Sequence, residues 1–278
     1  MNTITQNTLL LFRSSLHDSE KSEATVEKYV FYVERMLKEL SGGEMTKEFL
    51  LKYRNGLMQK YRPQTVNGNL SAINAFLTFY GLPDMKLKLL KVQRQIFLAE
   101  ERELSKDEYM RLLRAARYQN DERLYMLLLT LGSTGIRISE LSYITVEAAA
   151  SGQAQVRLKG KNRTIIIRKE LRKQLLEYAK KRGIESGHIF RTRSGRALDR
   201  SNICHDMKKL CPQAQVEPCK VFPHSIRHLF ARAYYGIEKD LAHLADVLGH
   251  SQIETTRIYV AASVRTHEKI LDRMGLIL

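Results

Sequence analysis

Cysteine is scarce in this chain: Cys204, Cys211 and Cys219 are the three in 278 residues. The number is odd and no two form a CxxC pair, which argues against a disulfide framework. The same scarcity leaves no second closely spaced ligand pair to complete a zinc site. Long apolar runs are missing as well. None approaches the roughly 18 to 20 residues needed to span a bilayer, and the amino terminus carries no signal-peptide pattern. A soluble cytoplasmic protein, not associated with a membrane, is expected. Acidic residues are the third shortage, with 30 Asp+Glu against 46 Lys+Arg and a formal charge of +16. With a pI near 9.8, the balance favours a polyanionic partner. Internal repeats and low-complexity tracts are absent.

What the chain does have is enough apolar content, 44%, to bury a sizeable core. Its length has room for one large domain or two modest ones. The charge is unevenly placed: residues 1–103 hold 15 Lys+Arg against 12 Asp+Glu, and the remainder holds 31 against 18. Helical spacing of apolar residues predicts four short helices in the first part, over residues 7–16, 23–40, 46–59 and 63–80. Leu9, Leu10, Phe12 and Leu16 make the apolar side of the first. These four form a small helical bundle over residues 1–83. Residues 84–103 lack a firm period and read as a linker, and residues 104–278 form a second domain.

That second domain opens with a capping box, Ser105 and Glu108, before a helix over 106–118. A strongly apolar helix follows at 124–131, which Gly132 and Gly135 break. Strand signals occur only between Ala154 and Arg168, and they read as a hairpin turning at Lys159-Gly-Lys-Asn. Further helices are predicted at 169–182, 201–210, 224–235, 239–248, 252–262 and 265–274, with an apolar tail, Leu276-Ile-Leu278. The fold class is therefore mainly α with one small β-hairpin.

The stretch around which the chain is organised runs from Leu248 to Tyr259. A helix stops at Gly249, which can take the left-handed conformation. Ser251 and Glu254 then form a second capping box that starts a new helix. His250 is held in the joint, and Tyr259 stands two turns into the new helix. Taken alone, this is more readily the pattern of a buried tyrosine in an ordinary helical hairpin. Two other stretches change that balance: Ser133-Thr-Gly-Ile-Arg-Ile-Ser-Glu-Leu141 and Pro223-His-Ser-Ile-Arg-His-Leu-Phe-Ala231. In order and separation, the three resemble the conserved boxes of the tyrosine recombinase (phage integrase) family, and looser similarity extends over nearly the whole chain. The resemblance implies an amino-terminal helical DNA-binding bundle and an α+β catalytic domain.

The chemistry of cutting a phosphodiester fits these residue types. An arginine fork is always charged and binds phosphate through two donors, and Arg137 and Arg227 are the candidates. The competing reading of each is a surface arginine paired with a carboxylate, and Glu140 stands three residues from Arg137. Glu140 would orient Arg137. Pro223 places His224 in the first turn of its helix, facing Arg227, where an imidazole can move a proton at the phosphate. His224 and His228 also have the spacing of a zinc pair, but Ser225 occupies the place where a metalloprotease motif needs Glu. His250 would be a second hydrogen-bond donor to a non-bridging oxygen. Tyr259 is the nucleophile candidate, and covalent attack conserves the bond energy, so rejoining needs no ATP.

The resemblance further implies a 3′-phosphotyrosyl intermediate and a lysine in the hairpin turn that protonates the leaving 5′-oxygen. The turn here is shorter than the common family turn. Lys159, which precedes the glycine, is favoured as that general acid, and Lys161 is the alternative. A site-specific recombinase that integrates, excises or inverts double-stranded DNA follows, with no metal and no cofactor. Family members assemble as tetramers on two paired sites, and the tail from Arg265 is expected to dock on a neighbouring subunit. Accessory DNA-bending or directionality proteins are compatible with this scheme. The lack of a long amino-terminal arm-binding domain is expected of a recombinase with short paired sites. Two other functions share the pattern: a catalytically idle DNA-binding regulator, and a relaxing enzyme resembling type IB topoisomerases.

Overall fold

The structure, a computed structural model, describes residues 6–92, 103–158, 161–192, 194–250 and 252–260. The chain divides into two compact units, Met1–Arg94 and Gln95–Leu278. The first is built from α1 (Gln6–Asp18), α2 (Glu23–Leu40), α3 (Lys47–Lys60) and α4 (Pro63–Phe79). Pro63 sits at the first position of α4, where its missing N–H costs nothing. Val66, Leu70, Ile73, Phe76 and Leu77 follow at helical spacing and are all fully buried. Phe12 of α1 meets Phe76 edge-on at 5.3 Å. Leu10 does not join this core as expected, because α1 turns it to solvent, 65% exposed, while Phe12 and Leu16 point inward.

Residues 86–90, where sequence reasoning began a linker, dock on the first unit. The Asn74 amide donates to the Leu87 carbonyl and accepts from its N–H, both at 2.8 Å. Asn67 clasps Leu90 in the same way. Two side-chain amides thus substitute for a missing strand partner. This carries the first unit past its last helix, through a single 3-10 turn at Pro83–Met85.

The second unit holds α5 (Lys106–Tyr118), α6 (Glu122–Thr134), α7 (Val146–Ser151), β1 (Gln153–Leu158), β2 (Lys161–Ile166), α8 (Lys169–Lys181), α9 (Arg200–Lys209), α10 (Cys211–Ala214), α11 (Pro223–Glu238), α12 (Leu241–Leu248) and α13 (Ile253–Val260). The fold class is as the sequence indicated, mainly helical with one antiparallel hairpin, β1–β2. The Ser105–Glu108 capping box forms, at 2.7 and 3.1 Å. Leu124, Leu127, Leu128 and Leu131 of α6 lie at the centre of the core. Gly132 stays helical, so the helix runs on to Thr134 and only Gly135 ends it. Lys239 does not begin α12: it closes α11 in the left-handed conformation, and Asp240 caps α12 instead.

In the hairpin, Val156 pairs with Arg163 and Ala154 with Ile165. Val156, Ala154, Ile165 and Ile167 are buried, so one face of the hairpin lies on the core. Helix α11 packs against α6, α12 and α13. That packing brings three separate stretches of sequence to one place. Among the described residues no helix is long and apolar enough to cross a membrane.

Candidate active site

Gly135 ends α6 with φ +60° and ψ 22°, in the left-handed region where a side chain is strained. A Cβ there would also strike the Phe230 ring. The chain then turns so that Arg137 caps a 3-10 segment, Ile138–Tyr143, from an extended conformation. Its N–H donates to Glu140 Oε2 at 2.7 Å, and its Nη1 to Oε1 at 2.9 Å. Arg137 Nη2 donates to the Gly249 carbonyl at 3.2 Å. Glu140 is 2% exposed, whereas the Arg137 side chain keeps 33% of its surface open. The carboxylate is therefore fixed inside, and the guanidinium it holds still reaches solvent.

Arg227, on the second turn of α11, is buried completely. Nη1 donates to the Gly135 carbonyl at 2.5 Å and Nη2 to the Leu248 carbonyl at 2.7 Å. Nη2 also lies 3.0 Å from His250 Nε2. A guanidinium is always protonated and can only donate, so in the neutral ring Nε2 accepts. Nδ1 lies 2.8 Å from Thr256 Oγ1. Thr256 lies on α13 and is itself fully buried. Sequence reasoning gave His250 the part of a donor to phosphate. Here its Nε2 faces Arg227 and its Nδ1 faces the Thr256 hydroxyl, which can itself donate or accept.

His224 occupies the first turn of α11 and faces solvent. Desolvation, then the charges of Arg200, Arg227 and Arg137, hold its pKa below the ordinary histidine value, so its neutral form is favoured. His228, one turn on, is pushed further, to about 4, chiefly by burial and then by His224 and Arg227. Among the described residues no group of three or more His, Cys, Asp or Glu is arranged to hold a metal ion.

The low value at His228 has a consequence for stability. Its folded pKa, about 4, lies below the value near 6.5 expected in the unfolded chain. The unfolded state therefore binds the extra proton first. The stabilisation is complete above pH 6.5 and is lost as pH falls toward 4, a loss of about 2–3 kcal/mol. His228→Gln is expected to flatten the fall of melting temperature across that window. Parallel curves for parent and variant would refute this.

At the joint, Gly249 closes α12 with φ +64°. A Cβ on Gly249 would collide with the Arg163 side chain, so the position demands glycine for space as well as for backbone geometry. Tyr259 stands on α13, one turn beyond Thr256. Its side chain, Lys159, Ser251 with its capping box, and the tail from Arg265 lie outside the described residues. Lys161 begins β2, its backbone paired with Leu158.

Three further residues at this site escaped sequence reasoning. Arg163 of β2 lies with Nη2 at 2.9 Å from Glu140 Oε2, Thr256 orients His250, and Arg200 adds charge near His224. A signal existed for Arg163 alone. Strand alternation puts it on the same face as Ile165 and Ile167, where a charged residue needs a partner. The whole arrangement holds more positive than negative charge around one buried carboxylate, and an anion would relieve it.

Known proteins resemble the chain at both levels. A sequence model of the phage integrase family matches residues 102–265. Tyrosine recombinase XerA of Thermococcus kodakarensis is 29% identical over 277 residues, covering 96% of this chain and 94% of that protein. Among solved structures, XerH recombinase bound to its difH substrate before cleavage superposes with a TM-score of 0.71 at 16% identity, over 99% of this chain and 90% of the other. A lambda integrase tetramer bound to a Holliday junction gives 0.71 at 15% identity, over 92% and 78%. At such identities the structural likeness establishes the fold.

Proposed function

The chain belongs to the phage integrase family, and on that footing we propose how it works as a site-specific DNA recombinase, an enzyme that cleaves and rejoins DNA. The observation that supports the residue roles most directly is the pair of consecutive carbonyls at Leu248 and Gly249. They hold Arg227 and Arg137, residues from two distant stretches, at one point beside His250. Two guanidiniums fixed this way would neutralise the non-bridging oxygens of one phosphate. Arg137 keeps an open side for that contact, and Glu140 holds it in place.

In this scheme Tyr259 attacks phosphorus, a 3′-phosphotyrosyl bond forms, and the bond to the 5′-oxygen breaks. His224, neutral near pH 7, accepts the phenol proton or returns it on rejoining. His250, set between Arg227 and Thr256, would be a second hydrogen-bond donor to a non-bridging oxygen. A lysine of the hairpin turn, Lys159 or else Lys161, protonates the departing oxygen. The partner is double-stranded DNA, bound by a homotetramer on paired sites, and the protein works in the cytoplasm where that DNA is. No step in this scheme uses a cofactor. The tail from Arg265 exchanges between neighbours, and accessory DNA-bending or directionality proteins fit around the assembly.

Short inverted repeats in the DNA flanking the coding region supply the test substrate. A duplex carrying them, nicked beside the cleavage position, traps the covalent product once the short end is lost. A protein–DNA adduct that survives detergent and maps to Tyr259 joined to a 3′-phosphate is the expected result. A shifted band with no adduct favours the idle regulator. An adduct together with relaxation of plasmids lacking the repeats favours the topoisomerase-like reading.

Binding itself should be dominated by phosphate contacts, because residues 104–278 carry 31 Lys+Arg against 18 Asp+Glu. With roughly six phosphates neutralised, the logarithm of affinity falls with the logarithm of salt at a slope of about −5. Titrations at four salt concentrations measure it, and a slope near zero contradicts the phosphate-dominated mode.

A further inference from the structure

Arg163 joins the hairpin to Glu140 and to the Leu248–Gly249 joint, and shares the Leu248 carbonyl with Arg227. It lies on the inward face of β2, with its side chain only 8% exposed. Nη2 stands 2.9 Å from Glu140 Oε2, the oxygen that also accepts the Arg137 N–H. Nη1 donates to the Val247 carbonyl at 3.2 Å and to the Leu248 carbonyl. The Leu248 carbonyl is also the one that holds Arg227. The aliphatic stem crosses Gly249, immediately before His250.

This placement is electrostatically costly. Burial and the nearby charges of Arg227 and Arg137 pull the Arg163 pKa down to about 10, against the favourable pull of Glu140. Its Nε and Nη2 are buried with no hydrogen-bond acceptor among the described residues, and Nη2 meets Glu140 as an ion pair. A well-packed apolar side chain at such a point commonly serves stability as well or better. The cost is intelligible if the residue holds separate elements in register. The hairpin is only two strands wide, and a sheet that narrow is marginal without outside support. Its turn carries Lys159, and Lys161 lies two residues before Arg163.

We propose that Arg163 is a positioning residue that fastens the hairpin, and with it the lysine of the turn, to the floor formed by Arg137, Glu140, Arg227 and His250. The general acid is thereby kept opposite the leaving 5′-oxygen. This rests on the reading above that a hairpin lysine donates the proton. When the bond from phosphorus to the 5′-oxygen breaks, its electron pair stays on that oxygen, which takes the proton from the lysine ammonium. With sulfur in place of the bridging oxygen, the thiolate leaves without needing that proton.

Cleavage by the full-length protein is therefore measured on ordinary and sulfur-bridged nicked duplexes. The variants are Arg163→Met, Arg163→Lys, Lys159→Ala and Lys161→Ala. General acid catalysis contributes on the order of 10² or more, so Arg163→Met is expected to lose about 10²-fold on ordinary DNA and under about fivefold on the sulfur substrate. Arg163→Lys keeps the charge for Glu140 but cannot reach both carbonyls, so it should lose about tenfold, with the same selective recovery. Recovery on sulfur is the readout that a merely structural role does not move. Equal loss of Arg163→Met on both substrates, or no loss on either, overturns the inference. If Arg163→Met fails to fold, the ratio for Arg163→Lys decides the matter by the same criterion. Recovery of a lysine variant without recovery of the Arg163 variants overturns the inference alone. Failure of both lysine variants to recover overturns the general-acid reading and the inference with it.

Discussion

Tyr259→Phe is expected to bind its DNA site as tightly as the parent and to form no covalent complex at all. The change removes one oxygen from the end of a ring, so the charges that hold the phosphate remain. The nucleophile is gone, and no other group on α13 between Ile253 and Val260 offers a phenol. Removing a catalytic nucleophile typically costs on the order of 10⁴ to 10⁶ in rate, so adduct formation should fall below detection. Gel shift and detergent-resistant adduct, measured on the same nicked duplex, separate binding from chemistry. The chain has 13 tyrosines, and each of the other twelve is a rival until this is done. An adduct from the variant at the parental rate would assign the bond to one of them.

Much of the path to that site could be read from the sequence because its turning points are local. A capping box needs only residues three apart, and Ser105–Glu108 forms as expected. A glycine that ends a helix in the left-handed conformation is likewise a local event, and Gly249 behaves so. The helix ends misjudged from sequence show the limit of that logic. Lys239 closes α11 with φ +58° although nothing in its side chain favours that conformation, and Gly132 remains helical within α6. Tertiary packing overrides local preference at both positions.

Within the site the division is sharper. Arg137, Arg227 and His250 were legible through the resemblance of three boxes to the tyrosine recombinase family, and the structure brings these three together. The protonation of His250 was not, since it depends on Arg227 and Thr256 arriving at its two nitrogens from α11 and α13. Arg163 was hidden for a related reason. Strand alternation sets it on the inward face, but the partner that makes a charge there intelligible, Glu140, is 23 positions earlier in the chain.

Arg227→Lys is expected to be the most damaging charge-preserving substitution in the molecule. The fork of Arg227 satisfies the Gly135 and Leu248 carbonyls while its Nη2 meets His250. A lysine ammonium is a single point of charge and cannot serve Gly135 on one side and Leu248 on the other. The Leu248 carbonyl keeps Arg163 as a donor, but either the Gly135 carbonyl or His250 Nε2 loses its partner, at a cost of about 1–3 kcal/mol. For a protein of this size that lowers the melting temperature by roughly 3–10 °C. The catalytic loss should be larger than the stability loss. Transition-state donors to a developing charge are each worth on the order of 10² to 10³ in rate, and lysine keeps the charge but not the paired geometry. With His250 also released from its anchor, the rate of adduct formation should fall about 10³-fold. Measured well below the variant's melting temperature, with binding checked by gel shift, this loss belongs to chemistry. A variant that cleaves within about tenfold of the parent would show that charge alone suffices at this position, and the role given to its fork would have to be withdrawn.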